Sequence, residues 1–410
     1  MSARILFVDD EPRVLSGLRR MLRVLTPEWT MHFVEGGRQA LEFLAENPVD
    51  VVVSDLRMPG MDGAELLGKV RESHPGVVRI MLSGYVEKQA VEQAVLPAHQ
   101  FLSKPCEPKM ILSTIRQALQ ANALIADPAV RSAVAGIESL PSLPRAYTLM
   151  MEEIESASPS LQRVGGLVES DPGMCASILK MVNSSYFGFC QKISSPQQAV
   201  TLLGLDAMRS LVLSAHLFSS FDPSLSGRFS LDSLWEHSLR TSRLSFRIAE
   251  VEGWDKADRD DALAAGLLHD VGKLVLACRM PKDYDMILEA VRRGGLRVEA
   301  AERQHLGFGH AVVGAYLMSL WGLPDRLVRA IHEHHAPGAS AGGGFVPHAV
   351  YVGNILDHKH CVIHPEYGRP ELDLALLEEA GLSDRVAAWD SLGVAETNLE
   401  ECPDARDPHR

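Results

Sequence analysis

A chain of 410 residues with 46% hydrophobic content is too long for one ordinary core and ample for packed domains, so two or three domains are expected. Six cysteines without C-x-x-C spacing argue against both a disulfide framework and a thiolate zinc site. The net charge of −13 gathers at the end, where residues 366–410 carry 4 Lys+Arg against 12 Asp+Glu; with no basic excess anywhere, direct nucleic-acid binding is disfavoured. No charged leader opens the sequence and no eighteen apolar residues run together, so a cytoplasmic protein without membrane insertion is expected.

From the N-terminus, Arg4–Val8 is a short apolar run ending at Asp9-Asp10-Glu11, and Pro12–Leu25 follows with helical spacing. The pattern repeats: Met31–Val34 then Gly37–Glu46, Val49–Asp55 then Gly63–Ser73, Val78–Ser83 then Val86–Val95, Gln100–Ser103 then Pro108–Gln120. Five strand–helix units predict a five-stranded parallel sheet with five helices on its two faces and ligands at the carboxyl ends of the strands. Those ends carry Asp9, Asp10 and Asp55, with Ser83 and Lys104 on later strands. Three carboxylates facing one mouth repel unless a hard cation neutralises them, and Mg²⁺ with oxygen ligands suits them. A hydroxyl and an ammonium beside them can hold a phosphoryl group.

Residues 1–122 thereby resemble a response-regulator receiver, a flavodoxin-like α/β domain. The matching stretches are the acidic pair, Ser54-Asp55-Leu56-Arg57-Met58-Pro59-Gly60-Met61-Asp62-Gly63, Leu82-Ser83-Gly84-Tyr85 and Phe101-Leu102-Ser103-Lys104-Pro105. The resemblance implies that Asp55 accepts a phosphoryl group from a sensor histidine kinase. It further implies that Asp10, Asp55 and the Arg57 carbonyl hold Mg²⁺ with Asp9 assisting through water, that Lys104 pairs with the phosphoryl oxygens, and that Ser83 and Phe101 act as the switch hydroxyl and switch aromatic. Arg57 and Tyr85 flank the site in that family; Pro97 reads as a helix stop.

Apolar residues at Ile111, Ile115, Leu119 and Ala123 carry the last receiver helix toward Asp127-Pro128, so 123–132 is expected to be a stiff helical linker. It offers either a surface for homodimerisation or a face that packs back on its own domain. Beyond it the sequence reads as all-α, with helical periodicity over 146–154, 161–169, 174–182, 196–203, 207–218, 234–251, 257–276, 284–293, 310–320 and 326–332.

Within this region Leu140-Pro141-Ser142-Leu143-Pro144, Ser170-Asp171-Pro172-Gly173, Val182–Gly188, Ala199–Gly204 and Leu234-Trp235-Glu236-His237-Ser238 read by themselves as helix boundaries and packing points. As a set they make residues 133–364 resemble the HDOD domain, a relative of the HD metal-dependent phosphohydrolases. Eleven of the sixteen histidines lie between 237 and 364. His237, the adjacent His269 and Asp270, His310, His334 and His335 fall where the HD relatives place metal ligands, and Fe, Mn or Zn is the class of ion implied. Lys273, one turn past Asp270, could face a phosphate. His305, His332, His348, His358, His360 and His364 are read as core or surface histidines.

The departures from HD enzymes are concrete. Asn354 stands where a last aspartate is expected, Asp357 is one turn later, and no Gly-Tyr-Pro motif follows His334-His335. The expected output is therefore contact with a partner protein, the alternative being a phosphohydrolase acting on a nucleotide or cyclic dinucleotide. The segment 365–410 reads as an acidic tail with short helices over 372–380 and 384–392 and a disordered end.

Overall fold

The computed structural model describes residues 3–25, 29–84, 98–104, 108–125, 134, 145–154, 156, 158–170, 172–182, 193–219, 230–338, 345–360 and 370–399. The chain divides into two compact units, 1–143 with 316–323, and 144–315 with 324–410. Among the described residues no helix is long and apolar enough to cross a membrane.

The first unit is built on β1 (Ala3–Val8), β2 (Trp29–Val34), β3 (Val51–Asp55), β4 (Val78–Gly84) and β5 (Gln100–Lys104), paired in parallel in the order β2-β1-β3-β4-β5. Val51, Val52 and Val53 are all buried, as a strand covered on both faces requires. Helices α1 (Pro12–Leu25), α2 (Gly37–Glu46), α3 (Gly63–Ser73) and α4 (Pro108–Leu124) supply the cover. The order places β1 beside β3, so their carboxyl ends share one mouth. Gly63 closes that edge: its N–H donates to the Leu56 carbonyl, and a Cβ there would stand 2.1 Å from the Asp55 carbonyl oxygen. The helix expected over 86–95, Tyr85 and Pro97 lie outside the described residues, as do the Ser83 and Phe101 side chains and most of 123–132.

The second unit is helical: α5 (Arg145–Ile154), α6 (Leu161–Glu169), α7 (Pro172–Val182), α8 (Pro196–Leu203), α9 (Leu205–Ser219), α10 (Leu231–Val251), α11 (Lys256–Leu268), α12 (Val271–Arg279), α13 (Pro281–Gly294), α14 (Val298–Leu306), α15 (His310–Leu320), α16 (Asp325–Glu333), α17 (Val346–His360), α18 (Leu374–Glu379) and α19 (Val386–Leu399). Helix α10 packs along both α11 and α17, and His237, Ser245, Asn354 and Asp357 are buried on these helices.

Three expectations change here. The single helix read over 257–276 is two helices, broken at His269 and Asp270, with Asp270 at φ −98 and ψ 7. Just past the break, Gly272 permits a close approach of two backbones, because a Cβ there would stand 1.9 Å from the His310 carbonyl oxygen. Helices α14 and α17 were not expected from periodicity. In the acidic segment, the second helix runs to Leu399, and Trp389, 2% exposed, donates from its indole nitrogen to Glu252 at 2.8 Å, so residues 370–399 fold back onto α10 and α17. The expected disordered end, 400–410, lies outside the described residues.

Candidate phosphoacceptor site and metal centre

At the mouth of the sheet, Asp9 and Asp55 are buried at the ends of β1 and β3, and Lys104 from β5 reaches both, 2.7 Å from Asp9 and 2.5 Å from Asp55. Asp9 is also tied by the Glu11 N–H at 2.9 Å. Burial raises the Asp55 carboxyl above its ordinary pKa, against the pull of Lys104. Lys104 is held charged: burial opposes its charge, and the hydrogen bonds it donates to the two carboxylates outweigh that. Asp10 is half-buried just past β1 and Arg57 is exposed two residues past β3. At this mouth, where Asp9, Asp10 and Asp55 were expected to face one another with Lys104 close by, the Lys104 ammonium bridges Asp9 and Asp55. The mouth thus sets the buried Asp55 carboxylate beside a fixed positive charge, and a negatively charged group arriving there would meet that charge.

In the helical unit the six candidate ligands converge. His237 comes from α10, His269 and Asp270 from the α11–α12 break, His310 from the start of α15, and His334 and His335 from the end of α16. His237, His269, Asp270, His310 and His334 are all buried to within 1%. Two groups have ligand atoms within 4.8 Å of one another: His237, His269 and Asp270, and His310, His334 and His335. Asp270 joins them. Its Oδ2 is 3.4 Å from His237 Nε2 and 3.5 Å from His269 Nε2, while its Oδ1 is 3.1 Å from His310 Nε2 and 3.7 Å from His334 Nε2.

The outer ring nitrogens are committed elsewhere. His269 Nδ1 donates to the Gly266 carbonyl at 2.8 Å and His334 Nδ1 to the Ile331 carbonyl at 2.7 Å. A carbonyl only accepts, so both rings carry their proton on Nδ1 and turn a lone pair inward on Nε2. His237 Nδ1 lies 2.6 Å from Asp357, and His310 Nδ1 lies 2.6 Å from Glu302. The inward Nε2 atoms then crowd together: His237 to His269 at 3.1 Å, His310 to His334 at 3.3 Å and to His335 at 2.9 Å. Nitrogen lone pairs at such distances need a shared cation, either a proton or a metal ion. The donor set, imidazoles around one carboxylate with their outer nitrogens anchored by carboxylates and carbonyls, fits a divalent transition metal.

In the metal-free chain protons do part of this work. Burial favours neutral His310, yet Glu302 and Asp270 beside it raise its pKa to about 9. Burial lowers His269 to about 3 and holds His334 and His335 well below the ordinary histidine value. Asp270 stays ionised despite its burial because the imidazoles and the Lys273 ammonium surround it; Lys273 Nζ is 2.6 Å from its Oδ2.

A cavity of about 140 Å³ reaches this centre, lined by His237, Asp270, His310, His334 and His335 on one side and by Lys273, Arg297, Tyr351, Asn354 and His358 elsewhere. Around the ligands stand residues whose roles carried no sequence signal. Glu302, wholly buried, takes both the backbone N–H and Nδ1 of His310 and accepts from Tyr284. Asp357 grips His237 Nδ1 and Arg240 from behind rather than replacing a ligand. His358, read as a core or surface histidine, lies tilted against the His237 ring, centroids 4.7 Å apart, on the cavity wall. Capping-box or i,i+4 logic finds none of these, because each partner lies on another helix.

With this geometry in view, comparison with known proteins is decisive. The response regulator receiver domain model matches residues 5–116 and the HDOD domain model residues 140–337. The chain is a receiver followed by an HDOD domain. The receiver is 39% identical over 127 residues to the hydrogenase transcriptional regulatory protein HoxA of Cupriavidus necator, and 202 residues are 26% identical to an uncharacterized protein of Treponema pallidum. These matches cover 30% and 48% of this chain and only 26% and 38% of those relatives. Among solved structures, an HDOD domain protein of Geobacter sulfurreducens superposes with a TM-score of 0.51 at 24% identity, over 68% of this chain and 94% of that one. A putative phosphohydrolase of Shewanella amazonensis does so with a TM-score of 0.51 at 20% identity, over 67% and 96%. Both likenesses establish the fold. A receiver implies a phosphodonor such as a histidine kinase, and the pair of domains makes the chain a response regulator with an HDOD output domain.

Proposed function

We propose that phosphoryl transfer from a histidine kinase to Asp55, with Mg²⁺ at Asp9, Asp10, Asp55 and the Arg57 carbonyl, controls the HDOD domain, and that this domain carries a transition-metal centre at His237, His269, Asp270, His310, His334 and His335. The observation that carries the metal reading is the crowding of inward Nε2 lone pairs about both oxygens of Asp270. The output we favour is contact with a partner protein, the centre serving as the hub that fixes the helices. Only one of the six ligands is anionic, so the ion is held less tightly than a centre closed by a second carboxylate would hold it. A second reading, hydrolysis of a phosphoester, is favoured by the cavity that reaches the centre with Lys273 on its wall.

Acetyl phosphate with Mg²⁺ should label the protein, and Asp55→Asn should not be labelled; equal labelling of both would remove Asp55 from its role. Metal analysis of the purified chain followed by phosphoester assay with Mn²⁺ or Fe²⁺ separates the two outputs. Turnover that vanishes in both His269→Ala and Asp270→Ala would establish the second reading.

A further inference from the structure

Burial sorts the lining of the cavity that reaches the candidate metal centre. His237, Asp270, His310 and His334 at its floor are sealed from solvent, whereas Ser230 and Arg297 are exposed and Pro370 is half-buried, so these last three mark its mouth. Pro370 begins the returning segment, which lies beyond the residues that the HDOD domain model matches. That segment is held unevenly. Its far part is fixed by Leu377, Leu382 and Trp389, all buried, with Trp389 and Arg385 on Glu252 at 2.8 Å and Asp390 paired with Lys359 at 2.6 Å. Its near part, 370–376, has no buried residue: Glu371, Asp373, Leu374 and Ala375 are exposed, Leu374 to 59%. Among the described residues one hydrogen bond ties this stretch to the helices around the cavity, from the Asp373 N–H to the Tyr351 hydroxyl at 2.8 Å. Tyr351 is itself 4% exposed and lines the cavity. A stretch with so little buried contact and a single tie opens locally at much lower cost than the segment behind it.

We infer that residues 370–376 are a latch on the cavity mouth, closed by the hydrogen bond from Asp373 to Tyr351, and that its opening sets how fast small molecules and ions reach the floor of the cavity. This access step belongs to the site of the proposed function but rests on the cavity alone, and it stands whether or not an ion binds. The latch is seated on the helix that backs the centre: Tyr351 belongs to α17, which also sets Asp357 and His358 against His237. Trp389 keeps the far part docked while the near part is open, so the cavity is exposed without unfolding of the domain. Tyr351→Phe removes the hydroxyl and keeps the ring on the wall, and the freed N–H, on an exposed residue, takes water in exchange.

The test is thiol labelling of the full chain carrying Ser233→Cys, a position that lines the cavity from α10. A small methanethiosulfonate reagent is used, labelling is read at residue 233 by peptide mass spectrometry, and amide hydrogen exchange is followed alongside, with and without Tyr351→Phe. Labelling should be about 2–10-fold faster with Y351F, the change in open population that one hydrogen bond supports. Exchange over 370–376 should quicken with it, while exchange over 386–399 stays as it was. Reaction of native His358, on the cavity wall, with diethyl pyrocarbonate makes the same comparison without S233C and should rise by a similar factor. Faster exchange over 370–376 with unchanged labelling at both positions overturns the latch, since the stretch then moves without governing entry. Labelling that rises only together with exchange over 386–399 overturns it as well, because the whole returning segment has then come away. Neither probe needs a bound ion, so the outcome is separate from that of the metal analysis.

Discussion

Glu302 shows how much of the centre is decided outside the ligands themselves. It is wholly buried and fixes His310 through two bonds, to the backbone N–H at 2.8 Å and to Nδ1 at 2.6 Å. Glu302→Gln keeps the volume and removes the charge, so the imidazole becomes a weaker donor. Metal affinity should fall by about 10–100-fold, the usual cost of a lost outer-shell carboxylate, with the fold retained; calorimetric titration reads the change. The same residues set the pH response of the metal-free domain. His269, with a folded pKa of about 3, and His334 and His335, also depressed, stay neutral while the unfolded chain takes up protons near 6.5, so stability is lost as pH falls below that value. His310, with a folded pKa of about 9, works the other way: its contribution is complete below 6.5 and is lost as pH rises through 9. Melting temperature against pH in chelator should therefore peak near neutrality, and a monotonic rise or fall would show that these assignments are wrong. None of these anchors could be found from the sequence. His237, the His269-Asp270 pair and the two later histidine sites were legible because a family pattern marks them, and Asp357 drew notice one turn past Asn354 without its place behind His237 being readable, whereas Glu302 and His358 act across helices and have no spacing to betray them.

At the scale of elements, amphipathic segments could be read from the sequence and buried ones could not. Helix α17 is buried on every side from Val346 to Asp357, so it has no polar face to give a 3.6-residue signal, although it carries Asn354, Asp357 and His358. The break between α11 and α12 was hidden for a different reason: apolar spacing continues straight through His269 and Asp270, and the close approach of Gly272 to the His310 backbone is a contact with another helix that spacing does not carry. Gly272→Ala tests that directly. A methyl group 1.9 Å from a carbonyl oxygen must push α12 away from α15, at a cost of about 1–3 kcal/mol for the overpacking, and it must move Asp270 relative to His310. Denaturant melts should show the loss, and metal affinity should fall with it; an unchanged affinity would mean that the bridge between the two ligand groups tolerates displacement.

On the scale of the molecule, the returning segment 370–399 closes the HDOD unit. Arg385 and Trp389 both reach Glu252 at 2.8 Å, Lys359 pairs with Asp390, and the Asp373 N–H donates to the Tyr351 hydroxyl on the cavity wall. Trp389→Ala should cost about 3–5 kcal/mol, the price of emptying a large buried site, and should loosen α17 where the cavity wall is formed. The division into two compact units makes a further demand on the energetics. A ligand stabilises only the unit that binds it, by about 2.7 kcal/mol when its free concentration is a hundred times its dissociation constant. Scanning calorimetry of the full chain should accordingly resolve two transitions. Mn²⁺ should raise one of them and Asp270→Ala should abolish that rise, while Asp55→Asn should change the response of the other to Mg²⁺ and acetyl phosphate. If phosphorylation also shifts the Mn²⁺-sensitive transition, that shift reports a coupling between Asp55 and the HDOD centre, which the proposed control by the receiver requires. A coupling of zero, with oligomeric state and partner affinity also unchanged, would leave the phosphoryl group without a route to the output domain.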